Sequence, residues 1–262
     1  MSVTLFSCTS DEDFQNKITE VNNDLMPEKL FKPIVGADEG ETYSYYFQLF
    51  SYNNQGKLTK LKKDYISYID PVYLNFEYSG NTVTVSDKID DNSVNLSKKK
   101  VVYTYDNNKI KEKFIYYNSV DEYSAQKYYY EYNPVGKLKK ITLRYPNIKS
   151  ESPYYEDLDI FERIDTFIFD GNNLKKIVSQ SVKEYNDNSN ARTETVFSDY
   201  DNAKNPFKRL GLIEPYFYRS LSDNNYREMK IDLYDENNIS IGVASSKWVF
   251  SYDKNNNMLL YY

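Results

Sequence analysis

An all-β chain is predicted: an antiparallel β-meander of repeated hairpins, forming a curved open sheet or half-barrel. Three observations predict it. Tyr and Phe number 29 and 14 among 262 residues, and both favour strands. Apolar and polar residues alternate at period two through much of the chain, as in half-buried antiparallel strands. A strand–turn–strand pattern, aromatic-x-aromatic-[Asp/Asn]-turn-[Leu/Ile/Met], also returns at intervals of roughly 25–35 residues, a spacing typical of repeat architectures.

Residues 1–38 are expected to form a lipobox-like start followed by a flexible tether. Leu5-Phe6-Ser7-Cys8 resembles a bacterial lipobox, with Leu at −3, a small residue at −1 and Cys8 as the acylated residue. The following Ser10-Asp11-Glu12-Asp13 resembles the acidic export signal of surface lipoproteins. Seven residues precede Cys8, fewer than the roughly 15–30 of a signal peptide, so a lipobox here requires a signal peptide truncated in this sequence. The competing assignment for Cys8 is a free thiol on a disordered tail. Stable anchoring needs more than one lipid chain. Beyond it, Phe14, Ile18 and Val21 show only loose helical spacing, and Pro27, Pro33 and Gly36 argue for a tether.

Residues 39–262 are expected to form the hairpin-repeat domain. The first unit runs from Tyr43 to Tyr52, turns at Asn53-Asn54-Gln55-Gly56 and resumes at Leu58. Phe76-Glu77-Tyr78 leads through Gly80-Asn81 into Val83, and Tyr103-Thr104-Tyr105 through Asp106-Asn107-Asn108 into Ile110. The clearest unit follows. Tyr128, Tyr130 and Tyr132 share one strand face, opposite Lys127, Tyr129 and Glu131. Asn133-Pro134-Val135-Gly136 supplies turn chemistry, because Pro134 fixes its own φ and Gly136 accepts a positive one. Ile141, Leu143 and Tyr145 then alternate with Lys140, Thr142 and Arg144. Further units turn at Asp170-Gly171-Asn172-Asn173, at Asp235-Glu236-Asn237-Asn238 and at Asp253-Lys254-Asn255-Asn256-Asn257. A lone hairpin is marginal in water, so neighbouring units are expected to pair into one broad sheet. Near 200–220, Pro206, Gly211 and Pro215 break the pattern while Phe207, Leu210, Leu212, Ile213, Tyr216 and Phe217 keep it apolar. This reads as an irregular insertion folded over the sheet.

The Tyr-x-Tyr-Asp-turn-Leu units resemble the YD (Rhs-type) repeat. With the lipobox and its acidic follow-on, the chain resembles the tyrosine-rich β-repeat surface lipoproteins of Bacteroidota, and Tyr200 to Phe207 looks like a segment recurring in them. The resemblance spans about Tyr43 to Tyr262. It implies a curved antiparallel meander, an outer-membrane or cell-surface location and no established activity, so no catalytic residue is carried over.

Composition removes several chemistries. Histidine is absent, which excludes histidine triads, histidine bases and His-bearing zinc sites. A single cysteine makes neither an internal disulfide nor a Cys-rich metal site. The net charge of −6 argues against nucleic-acid binding. No cofactor or metal is expected. Asp253 to Asn257 has the opening rhythm of a calcium loop, but it lacks the glycine and terminal glutamate, and turn chemistry explains it better. The acidic group Glu156, Asp157, Asp159, Glu162 and Asp165 could serve a glycosidase, which needs two convergent carboxylates; a solvated linker explains it more simply.

The expected function is therefore a non-enzymatic, surface-anchored binding module for a glycan or an envelope protein, anchored to the membrane through Cys8. The ligand surface would be rings on a bare, concave sheet face, with Tyr46, Tyr52, Tyr117 and Tyr129 as candidates. The bland alternative is that these rings stabilise the sheet as cross-strand pairs. A carboxylate-dependent glycoside hydrolase and a purely structural envelope spacer are the other functional alternatives.

Overall fold

The computed structural model describes residues 25–34, 44–65, 72–88, 99–117, 125–144, 161–183, 192–235 and 237–259. Cys8 and the acidic residues Glu156, Asp157 and Asp159 lie outside them. Fourteen strands form one antiparallel sheet in which every strand pairs with its sequence neighbours. They are β1 (Lys29–Ile34), β2 (Ser44–Tyr52), β3 (Leu58–Tyr65), β4 (Val72–Ser79), β5 (Thr82–Lys88), β6 (Lys99–Asp106) and β7 (Lys109–Tyr117). After these come β8 (Gln126–Tyr132), β9 (Leu138–Arg144), β10 (Phe161–Asp170), β11 (Asn173–Lys183), β12 (Arg192–Tyr200), β13 (Tyr226–Tyr234) and β14 (Ser240–Lys247). A short hairpin, β15 (Ser251–Tyr252) and β16 (Met258–Leu259), closes the described chain. The all-β open meander expected from the residues is the fold observed.

The sheet begins earlier than expected, inside the stretch read as tether. Lys29 to Ile34 pair with Leu49 to Ser44, and Leu30 is buried. Pro33 misled the sequence argument, but proline is tolerated on an edge strand, where no partner needs its missing N–H.

The repeat has a physical basis in its turns. Asn53, Asn133, Asp235 and Asp253 open four turns of one design. Each N–H donates to the carbonyl four residues on, and each carbonyl accepts from the residue three on, at 2.8–3.1 Å. The side-chain oxygens of all four also accept the N–H four residues on, at 2.8–2.9 Å. The residue third after each has positive φ: Gly56 +72°, Gly136 +84°, Asn238 +61° and Asn256 +61°. The Asp253 carboxylate thus serves its own turn, through Asn255 N, Asn257 N and Asn257 Nδ2.

The last aromatic before the turn also recurs for a reason. Pairing shifts register immediately before Tyr52, Tyr105, Tyr132, Phe169 and Tyr234, a bulge that re-aims the following side chain. Tyr52, Tyr78 and Tyr132 each donate, at 2.9 Å, to a carbonyl of the preceding unit: Pro27, Leu58 and Ile110. Tyr200 donates likewise to the Leu174 carbonyl. These four units are thereby each latched to the one before. The apolar residue after the turn is buried at Leu58, Leu138 and Met258, whereas Ile239 and Ile241 after Asp235 stay exposed.

The connection from β12 to β13, residues 201–225, is the expected insertion. It holds 3-10 turns at Pro206–Leu210 and Glu214–Tyr216 and one helical turn, α1 (Phe217–Ser220). Phe207, Leu210, Ile213 and Tyr216 join the core made by β1 to β6, whereas Phe217, Tyr218 and Leu221 pack on the core made by β7 to β13. A flat sheet of this many strands would be about 60 Å wide, so one short segment reaches both halves only because the sheet curls around it.

Two polar nodes fix the insertion. The Asp201 carboxylate accepts from Ala203 N, Asn225 N, Asn225 Nδ2 and the Tyr252 hydroxyl. Asn205 donates to the carbonyls of Arg219 (2.6 Å) and Ser222 (2.8 Å) and accepts from Phe207 N (2.9 Å). Arg219 is buried, with its guanidinium carbon 4.1 Å from the Tyr226 ring and 4.5 Å from Trp248. That contact ties the insertion to the segment after β14.

The insertion covers one tyrosine-bearing face of the sheet. Tyr103, Tyr105, Tyr128 and Tyr130 are buried under residues 201–225 and their neighbours, because this much aromatic surface is more stable packed than wetted.

Candidate functional site

Where the insertion meets the turns, a cleft of about 290 Å³ stays open. Three parts of the chain build it. The β2–β3 turn brings Gly56, Lys57 and Leu58, the β6–β7 turn brings Asn108, Lys109 and Ile110, and the first 3-10 turn of the insertion brings Lys208 and Arg209. Tyr78, Tyr105 and Tyr132 form aromatic wall. Among the described residues lining it there are four cations and no carboxylate.

Each cation is held differently. Arg209 donates from Nη1 to the Gly56 carbonyl at 3.0 Å, across a turn whose glycine leaves no room for a side chain: a Cβ there would sit 2.8 Å from that nitrogen. Lys208 is paired with Asp223, which lies beyond the lining. Lys109 Nζ stands 5.3 Å from the Tyr132 ring centroid. Lys57 is 4% exposed; its Nζ lies 4.8 Å from the Tyr78 centroid and has no hydrogen-bond partner. Burial holds its pKa below the ordinary lysine value. The phenols of Tyr78 and Tyr132 donate to backbone, as above, so their rings are fixed, and burial raises both well above the usual tyrosine range.

A second cavity of about 270 Å³ lies under the insertion, lined by Tyr103, Lys113, Tyr128, Arg163, Asp165 and Glu214 among others. It does bring two carboxylates together. Each is engaged: Asp165 with Arg163 at 3.2 Å and Glu214 with Lys113 at 3.2 Å. Of the acidic group named from sequence, only Glu162 and Asp165 are among the described residues; Asp165 lines this cavity, as a buried ion-pair partner.

The four tyrosines named from sequence stand on three strands, Tyr46 and Tyr52 on β2, Tyr117 on β7 and Tyr129 on β8. Tyr52 is half-buried against the core and latched to Pro27. Tyr129 is half-buried on the opposite face, its centroid 4.9 Å from Lys127 Nζ and 5.8 Å from the Arg144 guanidinium carbon. Tyr46 pairs with Lys32 and Tyr65, and Tyr117 with Lys99; the side chains of Tyr46 and Tyr117 lie outside the described part. The cleft residues went unnoticed in the sequence, although one sign was present. Lys57, Lys109 and Lys137 each directly follow a positive-φ turn residue, and in a meander all such turns crowd one end of the sheet.

The architecture recurs in solved structures. A porin-like protein from Bacteroides uniformis ATCC 8492 matches over 88% of this chain and 87% of its own, with TM-score 0.54 and 11% identity. A porin-like protein from Bacteroides vulgatus ATCC 8482 matches over 90% of both chains, with TM-score 0.53 and 13% identity. At such identities the likeness is one of fold: a large antiparallel meander sheet. No family model matches the chain, and no curated protein does.

Proposed function

We propose that this protein is a non-enzymatic binding module of the bacterial envelope, presented at the cell surface by lipid on Cys8, that holds a glycan in the cleft at the turn end of its sheet. The observation that carries this is the cleft itself, a rigid, tyrosine-walled opening left where the sheet's rings are otherwise covered. Sugars suit such walls, because flat amphipathic rings match their apolar faces. The lipobox-like start and the Bacteroides origin of the structural neighbours support the envelope setting. The ion-paired state of Asp165 and Glu214 favours binding over glycoside hydrolysis, which needs one carboxyl group free to donate a proton and another free to attack or activate water.

A glycan array probed with the labelled chain, followed by a reducing-end assay on each glycan bound, separates the alternatives. Binding without new reducing ends is the expected result. New reducing ends would make the protein a glycosidase, and binding to no glycan would leave the spacer. Metabolic labelling with a fatty-acid analogue should mark the wild type and not Cys8→Ala; equal labelling of both would remove the anchor.

A further inference from the structure

We infer that the cleft contains an anion subsite built around Lys57, and that its ligand is an acidic saccharide whose carboxylate or sulfate meets that ammonium. This rests on the binding-module reading and adds the chemistry of the ligand.

The first observation is the state of Lys57. An ammonium that is 4% exposed and lacks a counter-charge is among the costliest groups a fold can hold. Five other buried polar atoms also lack partners: Arg163 Nε, Asp165 Oδ1, Arg192 Nε, Arg209 Nε and Asn225 Oδ1. Each belongs to a group engaged through another of its atoms. Lys57 has only its Nζ, which lies 4.8 Å from the Tyr78 ring centroid. A fold that retains such a group unpaired, although any of many acidic side chains could have been set beside it, is arranged for a charge that arrives from outside.

The second observation is the company Lys57 keeps. Lys109 and Arg209 line the same cleft, with Lys208 already paired to Asp223, on a chain whose net charge is −6. Cations gathered against low-dielectric walls focus their field and raise the local concentration of anions. The third is the wall. Bare phosphate or sulfate would need no rings, whereas Tyr78 and Tyr132 offer fixed faces at the same opening. The volume, about 290 Å³, sits at the small end of ligand pockets. It suits a terminal or side-branch sugar better than the middle of a polymer.

Titration calorimetry on the full chain tests this with four probes: a uronate disaccharide, a sulfated disaccharide, a neutral disaccharide of the same linkage, and sodium sulfate. One or both acidic disaccharides should bind at least about tenfold more tightly than the neutral one, the worth of one charge-assisted hydrogen bond. Lys57→Met should remove that advantage while raising the thermal midpoint, which a merely structural lysine would not do. Lys109→Met, at an exposed position, should weaken acidic binding a few-fold, and it carries the test if the Lys57 variant fails to fold. Equal binding of acidic and neutral sugars, or acidic binding untouched by both substitutions, overturns the anion subsite and leaves the binding module standing. Sodium sulfate binding as tightly as the acidic disaccharides overturns the saccharide assignment. No binding by any probe overturns the subsite and the glycan-binding reading together.

Discussion

Replacing Asn205 by alanine should loosen the insertion from the sheet it fills. Asn205 is 3% exposed and engages three backbone groups: Phe207 N, Arg219 O and Ser222 O. The Arg219 carbonyl keeps a second donor, Ser222 N at 3.3 Å. Phe207 N and the Ser222 carbonyl are left with no partner described above. Two stranded groups at about 1–3 kcal/mol each, with one further bond lost, give roughly 3–5 kcal/mol. In urea this lowers the midpoint by about 1 M or more. Asn205→Asp should be worse still, because it aims a carboxylate at two carbonyl oxygens. The single tryptophan, Trp248, stacks beside Arg219, so its fluorescence reports insertion docking while far-ultraviolet circular dichroism reports the sheet. Loss of less than about 1 kcal/mol for Asn205→Ala would refute the pinning role. Trp248 and sheet signals that move apart would show instead that the insertion undocks independently.

Three further outcomes follow from the same geometry. Burial raises the phenol pKa of Tyr103, Tyr105, Tyr130 and Tyr226. Their stabilisation is complete below about pH 10 and is lost above it, as the unfolded chain ionises and the folded one does not. At about 1.4 kcal/mol per residue per pH unit, Tyr103, Tyr105 and Tyr130 together forfeit roughly 4 kcal/mol by pH 11; a late fraction of the tyrosinate absorbance should therefore appear only with the loss of circular dichroism. Gly56→Ala should cost about 1–2 kcal/mol from its positive φ and the crowding of Arg209. Gly171→Ala, with positive φ but open space around it, should cost less, and equal losses in denaturant melts would deny the Arg209 contact. Tyr132→Phe should lose about 1 kcal/mol with the Ile110 latch, whereas Tyr129→Phe, which has no such latch, should stay within about 0.5 kcal/mol.

Much of the fold was legible because strand alternation and turn chemistry are local. Tyr128 and Tyr130 are buried and Tyr129 is less so, as period two requires; Ile141 and Leu143 are buried too, but so is Thr142 between them. The Asx turns could be read at Asn53, Asn133 and Asp253 because side chain and backbone lie within five residues of each other. β1 was missed because Pro33 is a breaker everywhere except at an edge. The insertion was seen as apolar and irregular, but its destination was not, since the contact of Tyr216 with Gln48 spans most of the chain. The cleft was illegible for the same reason. Lys57, Lys109 and Arg209 converge only once a meander has stacked their turns at one end; the place of the two lysines directly after a turn hints at it, but nothing local brings in Arg209.

A crystal structure of the protein soaked with a sulfated or uronate disaccharide tests the central claim most directly. The anionic group should lie about 2.7–3.2 Å from Lys57 Nζ, with the sugar against Tyr78 or Tyr132 and residues 201–225 packed beneath the sheet. A cleft closed by a protein carboxylate on Lys57, or a sugar bound on another face with the cleft empty, would contradict it.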